Sequence, residues 1–175
     1  TIAIDAINMQ ISDVKINGQS VNYLNTGKQL KLFMGFKKGK NQLSFSYFAT
    51  PKQTLYFVKI GDETQIWTQG QGKYTSHWLP SFDDVNEKLV FSVTVKYRYP
   101  SSLNYRPVVV SNGVLISSSY QIAIDGKTNV VQNSFEMKKP MSSYLVMLAI
   151  GNFNKKSTIS NSGIVLENYY IPDCE

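Results

Sequence analysis

The stretch Leu89-Val90-Phe91-Ser92-Val93-Thr94-Val95-Lys96-Tyr97 decides the fold. Leu89, Phe91, Val93, Val95 and Tyr97 share one parity, and Val90, Ser92, Thr94 and Lys96 share the other. Successive side chains of a strand point to opposite faces, so this alternation predicts a strand with one buried face. Pro100 should close it, because proline has no N–H for the ladder.

Shorter strands are predicted on both sides, separated by turn signals. Segments 14–16 and 21–24 flank Asn17-Gly18, a two-residue hairpin signal because both turn positions need a positive φ. Segments 30–36 and 43–48 flank Lys37-Lys38-Gly39-Lys40, and segment 55–60 ends at Gly61-Asp62. Segments 108–110 and 114–117 flank Asn112-Gly113, and 120–124 runs into Asp125-Gly126. Segments 134–137, 144–150 and 164–170 follow. About ten or more short strands with regular turns predict an all-β domain, an antiparallel β-sandwich or an open, barrel-like sheet. Two stretches stand apart: 69–75 is polar and glycine-rich, and 81–88 suits one short helical turn. With no internal repeat, low-complexity tract or interior linker, residues 1–175 read as a single β-domain.

Composition excludes several classes. Apolar residues make up 42% and charged residues 17%, a balance that rules out wholesale disorder. The formal charge is +6, but Arg98 and Arg106 are the only arginines and the lysines are scattered. Nucleic-acid readers favour arginine, whose planar fork pairs with phosphates and guanine edges, so the charge reads as solubility and not as nucleic-acid binding. No apolar run reaches the ~18 residues that a membrane-spanning helix needs. One cysteine, Cys174, excludes an internal disulfide framework. Cys174 and the single histidine, His77, also fall short of the ligands that a zinc site built from Cys and His requires.

The remaining candidates for chemistry have plain readings. His77, in Ser76-His77-Trp78-Leu79-Pro80, would need a carboxylate and a nucleophile beside it to work as a base, and reads as a structural or surface histidine. Asp83-Asp84 could share a proton or hold a hard cation, but chain neighbours point apart, and capping of backbone N–H groups is favoured. Gly70-Gln71-Gly72 lacks the G-K-[ST] of a phosphate loop. The 11 tyrosines could line a sugar-binding face, but in a sandwich they more often fill one face of each sheet. The residues alone therefore describe an all-β module with no self-contained catalytic machinery. A carbohydrate- or protein-binding β-sandwich remains open at this level.

Motifs say more. Trp67-Thr68-Gln69-Gly70-Gln71-Gly72 is followed by Trp78-Leu79-Pro80-Ser81-Phe82-Asp83-Asp84. Together they resemble the T-Q-x-[EQ]-[AG] and [FL]-P-C-[FQ]-D-[ED] segments of the N-terminal β-domain of zinc aminopeptidases, the family of aminopeptidase N and leukotriene hydrolase. Tyr47-Phe48-Ala49-Thr50-Pro51 and Leu55-Tyr56-Phe57 resemble the strand before that motif. Pro140-Met141-Ser142-Ser143-Tyr144-Leu145 and Ala149-Ile150-Gly151-Asn152-Phe153 resemble the family's P-M-S-[ST]-Y-L and [AV]-[IV]-G-x-F segments, in the same order. Ser81 stands where the family commonly has Cys, and Val85 where Pro often follows the acidic pair.

The resemblance implies an N-terminal domain whose first strands are missing before Thr1, with the catalytic domain absent from this chain. The zinc motif H-E-x-x-H needs two histidines and the chain has one, and G-x-M-x-N is absent too. Zinc is therefore expected in the absent catalytic domain, with no cofactor in this chain. The expected partners are that catalytic domain, within the same polypeptide, and the N-terminus of a peptide substrate. The resemblance assigns Gln71 to the substrate's α-amino group, with Gln69 lining the same cleft. A glutamine amide oxygen can accept a hydrogen bond from an ammonium, and Gly70 and Gly72 would let the loop approach a substrate closely. No catalytic residue and no metal ligand is expected here, and a third reading is a non-catalytic, scaffolding relative.

Overall fold

The computed structural model describes residues 1–61, 63–124 and 126–172, so Asp62, Asp125 and Cys174 lie outside the described residues. The chain is all-β there, with antiparallel sheets, no closed barrel and no helix beyond two short 3-10 turns, Thr75–His77 and Ser143–Leu145. No helix among the described residues is long and apolar enough to cross a membrane. The residues cluster into two compact units.

Unit 1 comprises Thr1–Tyr56, Thr68–Val90 and Lys139–Met147. Strands β1 (Ile2–Asp5), β4 (Tyr23–Asn25) and β5 (Gln29–Leu32) form one sheet in the order β1-β5-β4. Strands β2 (Gln10–Ile16), β3 (Gln19–Ser20) and β6 (Leu43–Phe48) form another in the order β3-β2-β6. The β2–β3 turn is Asn17-Gly18, with φ of 53° and 83°, the pair of positive angles that its sequence called for. Alternation then builds the core. Leu30 and Leu32 of β5 face the same side as Ile4 of β1, which pairs with Leu30, and all three are buried with Val14 and Ile16 of β2. Full burial of each such side chain is worth about 2 kcal/mol relative to leaving it exposed.

Unit 2 comprises Phe57–Trp67, Phe91–Lys138 and Leu148–Glu175. Strands β7 (Leu55–Ile60), β8 (Glu63–Thr68), β10 (Val108–Ser111) and β13 (Leu148–Gly151) lie in the order β10-β13-β8-β7. Strands β9 (Lys88–Pro100), β11 (Val114–Ile122) and β12 (Thr128–Ser142) lie in the order β11-β12-β9. β14 (Asn154–Ile159) and β15 (Val165–Tyr170) form a hairpin. β9 has the predicted alternation: Phe91, Val93, Val95 and Tyr97 are half-buried, while Ser92, Thr94, Lys96 and Arg98 are exposed. It ends at Pro100.

Three expectations need correction. The helical turn expected within 81–88 lies at Thr75–His77 instead. Ser81 is held extended by a bridge to Asp5, with backbone bonds of 2.8 and 3.0 Å, and so cannot enter a helix. The single strand expected over 144–150 is a 3-10 turn followed by β13, because the N–H of Val146 bonds the Ser143 carbonyl. Segments 114–117 and 120–124 contribute to one strand, β11.

Candidate functional site

The site is built in unit 1 around loop 69–74, which follows Thr68 at the end of β8 and runs into the turn Thr75–His77. Thr54 holds both ends of this loop. Its carbonyl accepts the Gln69 N–H at 2.7 Å, and its hydroxyl donates to the Tyr74 carbonyl at 2.9 Å. Thr54 is 1% exposed and sits at φ 74°, the left-handed region that a β-branched residue avoids. Such a conformation costs on the order of 1–3 kcal/mol and persists where the surroundings over-determine it.

The two glycines of the loop have different jobs. A Cβ on Gly70 would stand 2.8 Å from the Tyr144 carbonyl oxygen, so only glycine lets the loop pack on that backbone. Gly72 has a φ of 94° and turns the chain. The missing side chain of Gly70 makes room for the Tyr144 carbonyl.

Gln69 and Gln71 are both exposed, and they line one open depression of about 440 Å³ together with Gln53, Thr54, Tyr56 and Tyr74. None of these lining side chains is a carboxylate or a cation. The wall offers amide oxygens as acceptors and amide N–H and hydroxyl groups as donors. Gln53, Thr54 and Tyr74 were not singled out from sequence, and Tyr56 entered only within the Leu55-Tyr56-Phe57 resemblance. The signal available was the resemblance of the neighbouring Leu55-Tyr56-Phe57 strand.

The far side of the loop is fixed by carboxylates. Both oxygens of Asp83 accept the Ser76 N–H at 3.3 Å, and Oδ1 also accepts the Ser81 hydroxyl at 2.7 Å. The Asp83 N–H donates to Asp5 Oδ2 at 3.1 Å, and Asp5 Oδ1 accepts from Gln29 at 2.9 Å. Asp84 points elsewhere and accepts the backbone and side-chain N–H groups of Asn86. The Asn86 backbone N–H is the main reason why its carboxyl lies below the ordinary range, with the Asn86 side chain and the Lys73 charge adding to it. The acidic pair therefore caps backbone, as its sequence position suggested. His77 has Tyr74 and Gln53 as its hydrogen-bond partners among the described residues, neither of them through a carboxylate.

Two other motifs of unit 1 hold the segment 78–85 that follows the loop. Ser143 donates to the Phe82 carbonyl at 2.8 Å and Ser142 to the Val85 carbonyl at 2.7 Å. Lys88 donates to both Ser142 and Val85, and the Tyr47 hydroxyl donates to the Trp78 carbonyl. Among the described residues no group of three or more His, Cys, Asp or Glu side chains could hold a metal ion.

Comparison with known proteins agrees with this assembly. The model of the peptidase M1 N-terminal domain matches residues 1–145. The chain is 28% identical over 158 residues to probable aminopeptidase 1 of Sulfurisphaera tokodaii, covering 89% of this chain and 18% of that protein. It is 30% identical over 123 residues to human endoplasmic reticulum aminopeptidase 1, covering 69% of this chain and 12% of that protein. The chain thus spans less than a fifth of the length of these relatives. An M1 zinc metallopeptidase from Deinococcus radiodurans shares the fold, with a TM-score of 0.72 at 17% identity over 96% of this chain and 38% of that one. Legionella pneumophila aminopeptidase A, solved with aspartic acid, does so with a TM-score of 0.73 at 17% identity over 98% of this chain and 20% of that one. With the family model matching residues 1–145, most of its length, the chain belongs to the peptidase M1 N-terminal domain family, the N-terminal domain of M1 zinc aminopeptidases.

Proposed function

We propose that this domain forms one wall of the substrate site of a zinc-dependent aminopeptidase and binds the α-amino group of the peptide. Gln71 accepts a hydrogen bond from the ammonium, and Gln69 lines the same wall. Once the catalytic domain covers this wall, an acceptor left without a donor is costly, so a chain lacking a free amine is rejected and cleavage is confined to the N-terminus. The zinc and the groups that cleave the bond belong to a catalytic domain in the same polypeptide, against which this domain packs. Alone, the domain does not hydrolyse peptides. The observation that carries this reading is the placement of Gln71, exposed on the wall of a polar depression on a loop clamped at both ends.

The test is Gln71→Ala in the full-length enzyme. A hydrogen bond to a charged group is worth about 2 kcal/mol, so kcat/KM on short peptides should fall roughly thirtyfold while zinc content stays unchanged. Gln71→Glu, which adds a charge-assisted bond, should lower KM. Wild-type efficiency in Gln71→Ala would rule the role out.

A further inference from the structure

We propose that Gln53 is a second acceptor for the substrate's amino group, and that His77 decides which end of the Gln53 amide faces the depression. This rests on the role given to Gln71 above. His77 Nδ1 lies 3.1 Å from the Tyr74 carbonyl oxygen. A carbonyl can only accept, so Nδ1 carries the proton, and Nε2 of the neutral ring is an acceptor. Nε2 lies 2.7 Å from Gln53 Nε2, so the Gln53 amide donates to it. That bond commits the NH2 end of the amide to the ring and leaves Oε1 as the free acceptor. Gln53 lines the same depression as Gln69 and Gln71. Gln53 directly precedes Thr54, the buried left-handed residue that clamps the loop. An ammonium brings several N–H donors, and one glutamine oxygen cannot satisfy them all.

Acid reverses the arrangement. Protonated His77 carries N–H on both ring nitrogens, so Gln53 must turn Oε1 toward the ring. Its NH2 group then faces the depression and cannot accept from an ammonium. The ionisable groups around the ring are Tyr74, edge-on with ring centroids 5.8 Å apart, and Asp5, Lys73, Asp83 and Asp84, which line a second depression with His77. Asp5 is engaged by Gln29 and the Asp83 N–H, Asp83 by Ser76 and Ser81, and Asp84 by Asn86. Gln53 is thus the partner left to answer a change at Nε2.

His77 is the only histidine, so proton–nitrogen correlation spectra of the 175-residue chain read this ring alone. The Nδ1–H tautomer is expected, with the Gln53 side-chain amide resonances moving as His77 titrates. An Nε2–H tautomer, or a Gln53 amide indifferent to that titration, overturns the proposal. In the full-length enzyme, kcat/KM is measured across pH on a set of aminoacyl coumarin amides. Where His77 is neutral, Gln53→Ala should lower kcat/KM about tenfold, mainly through KM, and should lack the further loss that the wild type shows as His77 protonates. His77→Gln keeps an acceptor opposite Gln53 without titrating, and should retain efficiency with a flat profile across that range. A wild-type result for Gln53→Ala beside a loss in Gln71→Ala sinks this proposal and leaves the Gln71 role standing. A silent Gln71→Ala overturns the Gln71 role and, with it, this proposal, because Gln53 is argued as an acceptor second to Gln71.

Discussion

In unit 1, Leu30 and Leu32 are sealed completely, whereas in unit 2 every residue of β11 is exposed, Ile116 at 58% and Ile122 at 65%. Hydrogen bonding differs in the same way. Unit 1 uses side chains to hold irregular backbone: Thr54 on Tyr74, Ser143 on Phe82, Ser142 on Val85 and Asn25 on Met9. Unit 2 relies on long ladders, with β11 and β12 paired from Val114↔Glu136 to Ile122↔Asn129 through one bulge. A ladder satisfies backbone groups by itself, but a loop held in one shape needs an outside partner for each buried N–H and C=O. The clamps therefore mark where unit 1 keeps a non-repeating shape, and one of them, Thr54 on Tyr74, holds the loop carrying Gln71.

The contrast in burial can be broken by truncation. Leu30→Ala should destabilise the chain by about 4 kcal/mol, because it removes sealed methyl groups and leaves a cavity. Ile116→Ala should change stability by less than about 0.5 kcal/mol, as expected of an exposed side chain. Urea midpoints at a shared slope measure both. A comparable loss at Ile116 would mean that the outer face of β11 is covered in solution.

Glycines sharpen the contrast between clamp and ladder. Gly113, in the turn before β11, has a φ of 88°, and an added Cβ would collide with the Glu136 carbonyl. Gly113→Ala should therefore cost about 3 kcal/mol, combining backbone strain with overpacking. Gly70→Ala has no positive φ to offend and meets only the Tyr144 carbonyl, so about 2 kcal/mol is expected. Its second readout is local: the loop must move off Tyr144, which should shift the side-chain amide signals of Gln69 and Gln71.

How far the sequence foretold this follows from what each residue answers to. β6 and β7 fell on the expected segments because their apolar pattern is written within a few residues. β14 was missed because Asn154 to Ile159 is exposed throughout, so no face needed to be apolar and no alternation was selected. β8 was missed because neighbouring residues Gln65 and Ile66 are both buried, which breaks a period of two. Gln69 and Gln71 were proposed through a motif resemblance, and both line the open depression. Thr54 was not legible: a threonine before a strand predicts extended backbone, and its left-handed φ answers to Gln69 and Tyr74, contacts distant along the chain.

The smallest effect separates charge from ladder in the β14–β15 hairpin. Lys155 pairs with Glu167 across the two strands, and the Tyr169 hydroxyl donates to Glu167 Oε2 at 3.0 Å. The bond from Lys155 holds the Glu167 carboxyl below its ordinary range, and the bond to Glu167 holds the Lys155 ammonium above its own. The signs fix the window. A depressed carboxyl contributes stability above the ordinary carboxylate range and loses it as pH falls through the folded value. A raised ammonium contributes below the ordinary lysine range and loses it as pH rises through the folded value. The difference between wild type and Glu167→Gln should thus be present at neutral pH, vanish in acid, and shrink with added salt because both groups are solvated. Urea midpoints across pH and salt measure it. A difference that persists unchanged in acid would mean that residue 167 supports the hairpin through packing, leaving the ladder and not the charge pair as what holds β14 and β15 together.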